Sequence, residues 1–275
     1  MSEEFTALIH SISATLFKLV PVTIALGLVF AVLSFFWACN PDRPWWRKRQ
    51  LVTDLCYWIV IPLLARYLRI GLLVIGAALL FRITTAEGLI AFYDNGHGPL
   101  ARLPLAVQAM IFLAGSDFMN YWIHRIFHGS VMWKYHAVHH SSEHLDWLSA
   151  ARFHPVNIFL GSVATDAVLL LAGISPNVLV FLGPFTIAHS AFVHANLRWT
   201  LGPFRYVLAG PVFHRWHHTA ADAGGEKNYA STFPILDVLF GTFYMPEHTL
   251  PAAYGIADRS FPPSFGAQMI YPFRH

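Results

Sequence analysis

Residues 19–39, LVPVTIALGLVFAVLSFFWAC, are 21 consecutive apolar or neutral residues. As a helix rising about 1.5 Å per residue they reach about 30 Å, the depth of one bilayer core. Residues 55–81 form a second run, interrupted by Arg66 and Arg69, and residues 104–123 a third. Two stretches of about 18 residues, 156–173 and 176–193, are joined by the turn signal Gly173-Ile174-Ser175-Pro176. Each is long enough for a short span or one arm of a re-entrant hairpin. Only 12% of residues are charged and 56% are hydrophobic, whereas a soluble domain carries about 25% charged residues. These features predict an all-α integral membrane protein. It is a bundle of about four to five transmembrane or re-entrant helices with a histidine-rich helical cap, and residues 1–275 form a single membrane-embedded domain.

Charge sets the expected topology. Arg43, Arg47, Lys48 and Arg49 follow the first run, while Glu3 and Glu4 precede it. The positive-inside rule then places loop 40–50 in the cytosol and the N-terminus outside, and a count of spans brings the histidine site to the cytosolic face. No cleavable signal peptide is expected in MSEEFTALIH, which lacks a basic segment. The net charge of +3 is small and scattered, which argues against a nucleic-acid partner. Two cysteines, Cys39 and Cys56, are too few for a disulfide framework or a thiolate metal site.

Histidine is the unusual residue. There are 16, and twelve lie between His124 and His218. His124 and His128 form HxxxH; His136, His139 and His140 form HxxHH; His214, His217 and His218 form a second HxxHH. On a helix, residues three and four apart share a face. Polar residues at a membrane interface would be scattered, and a metal-buffering tract would be of low complexity; neither yields this repeated spacing inside varied apolar sequence. The ligand count exceeds one ion and suits two. Imidazole accepts iron, zinc, copper or nickel, so ligand type leaves the metal open. HExxH is absent, which removes the general base of a zinc protease, and haem would use only one or two of these rings.

The order HxxxH, HxxHH, isolated histidine, HxxHH resembles the fatty acid hydroxylase/sterol desaturase superfamily of membrane di-iron oxidoreductases. The resemblance covers about residues 116–242. It rests on Asp117 to His128, on Trp133 to His140, on the segment around His194 and Asn196, and on His214 to His218 followed by Asn228, Tyr229, Asp237 and Phe240-Gly241-Thr242. Two positions depart: Leu236-Asp237-Val238 stands where the family often has Trp-Asp-Arg, and Ser190 stands where several hydroxylases have a histidine four residues before the one at 194. The resemblance implies two iron ions, a lipid substrate, O2 and an external electron donor such as a cytochrome, ferredoxin or reductase. The expected metal ligands are His124, His128, His136, His139, His140, His154, His194, His214, His217 and His218. His154 is the weakest of them, because Pro155 after it also reads as a helix start. His189 is five residues from His194, about 140° around a helix, and is left outside the set.

Among supporting residues, Asp117 is two turns before His124 and is expected to accept an N–H from a ligand histidine; an ion pair with Arg66 or Arg125 is the competing reading. Asn196 and Asn228 are candidates to bond ligands or a metal-bound water, against ordinary turn chemistry. Asp166 is as readily an arginine partner. The reaction expected is hydroxylation, or desaturation, of a sterol, fatty acyl chain or polar lipid. Hydroxylation is favoured because a site at the interface reaches carbons near a headgroup. The alternative is a transition-metal-binding protein or transporter without redox catalysis, which should place its ligands at the midplane.

Overall fold

The computed structural model describes residues 3–274. It contains helices and loops, with no strand among the described residues. Helix α1 (Glu3–Trp37) and α2 (Leu51–Phe81) are long and apolar; α3 (Ala86–Asn95) is a short connector. Helix α4 (Leu105–Phe127) leads into α5 (Ser130–His140). A single helical rod then runs as α6 (Pro155–Ile158), a π-helical turn at Phe159–Val163, and α7 (Ala164–Leu171). Helix α8 (Asn177–His194) returns beside it. Beyond it come three short helices, α9 (Pro211–His217), α10 (Ile235–Leu239) and α11 (Phe265–Ile270), among loops.

Among the described residues three helices are long and apolar enough to cross a membrane: Ile9–Trp37, Leu51–Phe81 and Asn177–His194. The expected third run is helical but does not meet that measure. Gln108, Ser116, Asp117 and Asn120 dilute its hydropathy, and α4 spends those residues on the interior. The first two helices present large apolar side chains outward, Phe17 at 83% and Phe35 at 81% exposure among them. Water would not tolerate so many at once, whereas lipid does.

The buried layers are built around tryptophan and a charged cluster. Trp147 packs its ring against Phe30, Trp45 and Trp58 at centroid distances of 6.2, 5.3 and 5.4 Å, tying α1, loop 40–50 and α2 to the segment Trp147–Ala151. Beneath that layer Lys48, Asp54, Asp146 and Arg152 are all buried. Asp54 is paired with both Lys48 and Arg152, and Lys48 Nζ lies 2.6 Å from Asp146. Two cations and two anions cancel, and Gln50 and Ser141 accept the two Arg152 Nη1 hydrogens. Removing one member would strand a buried charge, at a cost of about 3–5 kcal/mol. Deeper in the bundle Arg69 pairs with Asp166 at 2.6 Å, joining α2 to α7. The C-terminal segment docks back on α2, where Tyr57 Oη donates to Gln268 Oε1 at 2.8 Å and stacks edge-on with Phe265.

Candidate metal centre

Four histidine-bearing helix ends meet where α4, α5, α8 and α9 converge. Their rings sort into two sets, each with its ligand nitrogens within 4.8 Å of one another: His124, His128, His136, His140 and His217 in one, His139, His194, His214 and His218 in the other. The sorting crosses the sequence motifs. In the box on α5 the i and i+4 residues, His136 and His140, join the first set while His139 turns to the second. In the box on α9 His214 and His218 join the second set while His217 turns to the first. Residues i+3 and i+4 of a helix project about 100° apart, so one box can serve two points.

Five of these rings are oriented through Nδ1. His124 Nδ1 donates to the Tyr229 carbonyl at 2.8 Å, His139 to that of Arg152 at 3.1 Å, His194 to that of Ser190 at 2.8 Å and His217 to that of Lys227 at 2.7 Å. His136 Nδ1 donates to Asn157 Oδ1 at 2.7 Å. Oxygen acceptors of this kind require the hydrogen on Nδ1, which leaves a lone pair on Nε2. The Nε2 atoms of His124 and His136 then face one another at 3.0 Å with no proton to share. His128 Nε2, His217 Nε2 and His218 Nδ1 are buried without any hydrogen-bond partner. Burial, reinforced by neighbouring rings, holds His139, His140, His214 and His218 well below the ordinary histidine pKa, so they are neutral. Nine neutral imidazoles aiming lone pairs inward are what a pair of transition-metal cations requires, and the donor set fits iron.

Several expected residues sit elsewhere. His154 is not brought to either set. It caps α6, its Nδ1 accepting the Val156 N–H at 3.1 Å while Nε2 donates to the Met269 carbonyl at 3.2 Å. With both nitrogens engaged it has no lone pair to give. Asp117 does not touch a histidine, nor Arg66 or Arg125. It accepts the backbone N–H groups of Ser231, Thr232 and Phe233 at 2.7–3.0 Å. Asp237 does the same for Tyr229 and Ala230, at 2.7 and 2.9 Å. The two carboxylates therefore shape loop 229–233, whose Tyr229 carbonyl aims His124. Asn196 braces loop 40–50, donating to the Asn40 and Arg43 carbonyls. Asn228, at φ +59°, ties the Phe213 and Tyr244 carbonyls. Neither asparagine reaches the rings. His189 is also outside both sets, with Nε2 3.1 Å from the Ala209 carbonyl.

Residues that spacing does not reveal complete the centre. Asn157 orients His136 across 21 positions of sequence. The buried Arg215 holds the Leu145 carbonyl at 2.9 Å and the His194 and Ala195 carbonyls at 3.3 Å, fixing the end of α8. Arg215 lies inside the second HxxHH, so its position was a signal. Asn157 had none.

Two cavities reach the histidines from different sides. One, of about 290 Å³, is bounded by α4, the π-helical turn and α8; it touches His124, His136, His139, His194 and His214, and Ile123, Phe127, Phe153 and Phe185 make its apolar wall. The other, of about 930 Å³, touches His128 and His140 beside Trp133, Trp216 and Glu226.

A membrane-embedded helical bundle with this paired histidine centre defines a class, and the comparisons agree. Residues 109–242 match the fatty acid hydroxylase family model. An ornithine lipid hydroxylase of Rhizobium tropici is 27% identical over 88% of this chain and 72% of its own length. The alkylglycerol monooxygenase of Danio rerio is 33% identical over 60% of this chain. A Delta(7)-sterol 5(6)-desaturase of Gibberella zeae is 29% identical over 60%. The match spans only 37% of the monooxygenase and 42% of the desaturase. No solved structure matches. Residues 109–242 carry a fatty acid hydroxylase domain, and the relatives are lipid-modifying hydroxylases, monooxygenases and desaturases of the fatty acid hydroxylase/sterol desaturase superfamily. Its long apolar helices make the chain a membrane protein.

Proposed function

We propose that this chain is an O2-dependent, di-iron lipid hydroxylase. The observation that carries the reading is the pair of interleaved imidazole sets flanking one apolar-walled cavity. His124, His128, His136, His140 and His217 would hold one iron, and His139, His194, His214 and His218 the other. When bound, the irons supply what no side chain can, oxidation of an unactivated C–H bond by O2.

The chain's own work is to orient and exclude. The carbonyls of Tyr229, Arg152, Ser190 and Lys227 fix the tautomer of their histidines and raise their basicity. Phe153 lies flat on His139 at 4.2 Å and 9°, closing that ring to water. Ile123, Phe127 and Phe185 offer the lipid an apolar wall. A substrate carbon near a polar headgroup fits a cavity at the end of α8, and this favours oxygen insertion over removal of two hydrogens from a deep acyl position. The histidine centre lies on the cytosolic face, because loop 40–50 carries the basic residues. Electrons come from a separate cytochrome, ferredoxin or reductase on the side of the larger cavity, where Trp133 sits 5.3 Å from both His128 and His140.

The test is expression of the full chain under labelled O2. A lipid that depends on the chain and gains one labelled oxygen supports the reading, as does about two irons per chain. Loss of two hydrogens without label means desaturation. Metal-loaded protein that leaves the lipid extract unchanged supports a metal-binding role instead.

A further inference from the structure

The 290 Å³ cavity holds polar atoms that the metal centre leaves unused. His189, on α8, is only 9% exposed and lines it. The ring lies flat on Phe185, at 5.2 Å and 14°. Its Nε2 is 3.1 Å from the Ala209 carbonyl. A carbonyl only accepts, so the hydrogen is on Nε2 and Nδ1 carries a lone pair. No described residue donates to that lone pair.

Asn120, on α4, lines the same cavity one turn before His124, and its amide has no partner among the described residues. A Cβ built on Gly161 would sit 3.5 Å from Asn120 Oδ1 and 3.9 Å from Asn157 Nδ2. The glycine of the π-helical turn thus leaves open space beside an acceptor and a donor. Widened turns of this kind recur at functional sites. Asn157 Oδ1 is occupied by His136, but its Nδ2 hydrogens are not.

In a cavity walled on its apolar side by Ile123, Phe127, Phe153 and Phe185, the unengaged His189 Nδ1 and Asn120 Oδ1 acceptors and the Asn157 Nδ2 donor match a hydroxyl group. It donates to His189 Nδ1 or Asn120 Oδ1 and accepts from Asn157 Nδ2. A bare hydrocarbon would leave all three desolvated and unpaired, which a binding site discriminates against strongly. We propose that this cavity selects a lipid bearing a hydroxyl within a few bonds of the carbon to be oxidised, with Asn120 and His189 as specificity-determining residues. The proposal rests on the reading above for which cavity takes the substrate.

The test is photolabelling, which needs no turnover. Full-length, metal-loaded protein in phosphatidylcholine nanodiscs is given a hexadecanol carrying a diazirine near its hydroxyl, or the methyl ether of the same probe. The ether keeps an acceptor and loses the donor. The alcohol is expected to label peptides lining the cavity about tenfold more than the ether, the discrimination of one hydrogen bond to a buried acceptor. His189→Phe and Asn120→Leu should each lower that ratio, and the two together bring it close to one, at unchanged iron content, while His189→Gln, whose carbonyl oxygen accepts, should retain it. Equal labelling by the two probes in the unaltered protein overturns the proposal, as does a ratio that survives both variants. If His189→Phe does not fold, because the tie to Ala209 is lost, Asn120→Leu decides. Selective labelling in a protein that forms no oxygenated lipid would overturn the hydroxylase reading and leave this recognition standing. Unselective labelling in an active hydroxylase would overturn this proposal alone.

Discussion

The two histidine sets are built from the same motifs yet differ in surroundings. The four-membered set, His139, His194, His214 and His218, is wholly buried, and of the two cavities the smaller reaches it. The five-membered set includes the half-buried His124 and His128, and it is reached from both cavities. One ring more and one more route of access separate them. The closed set suits a tightly held ion. The other set is open to exchange through the larger cavity and depends on loop 229–233 to aim His124.

The largest effect should come from cutting one set and sparing the other. His218→Ala is expected to lower iron from about two per chain to about one and activity by more than about 100-fold. His128→Ala should do the same from the opposite set. Metal analysis of both variants would break the comparison if either lost both ions.

Asp237→Asn removes charge from the acceptor of the Tyr229 and Ala230 N–H groups. Through the Tyr229 carbonyl it should weaken metal binding at the five-membered set by about 10–100-fold and leave the other set intact. Chelator titration followed metal by metal checks this. The same titration on the unaltered protein should release one iron about tenfold faster than the other, given the larger cavity beside His128 and His140.

Acid should empty both sets. Burial holds His136, His139, His140, His214, His217 and His218 below the ordinary histidine value of 6.5. The unfolded chain binds protons below about pH 6.5 that the folded rings refuse, so stability rises with pH in that window. Retention of iron and of the folded state should be complete above about pH 6.5 and fall progressively below it. A flat profile between pH 7.5 and 5 would contradict the neutral, buried state of these rings.

The smallest effect is expected at His154. His154→Ala removes a helix cap, about 1 kcal/mol of stability, and should leave iron content unchanged and activity within about twofold. Loss of one iron in this variant would return His154 to the ligand set.

Much of the centre was legible because helical periodicity is local. The i, i+3 and i+4 spacing of His136 to His140 and of His214 to His218 already put those rings on one face; the angle of about 140° set His189 and His194 on different faces, and the resemblance chose His194. His154 misled because a histidine before Pro155 reads equally as a cap. Asp117 was correctly marked as an interior acid, but the angle around α4 could not say that its partners would be N–H groups more than a hundred residues away. The apolar run at 104–123 was read by length, whereas its interior polar residues make α4 the wall of a site.

The sequence by itself determined the helical membrane architecture and named ten histidines, nine of which converge; the class of chemistry came from the resemblance of their order to a known superfamily. The architecture follows from hydropathy and eight of the histidines from a fixed 3.6-residue repeat, both properties of short stretches of chain. Only the tertiary structure decided how the nine divide into five and four, which carbonyl or amide holds each ring, and which cavity meets which set. Those depend on where separate helices end against one another, on Arg152 clamped by Asp54 and on loop 229–233 gathered by Asp117 and Asp237. Contacts between distant segments are set by packing, which no periodicity within one segment encodes.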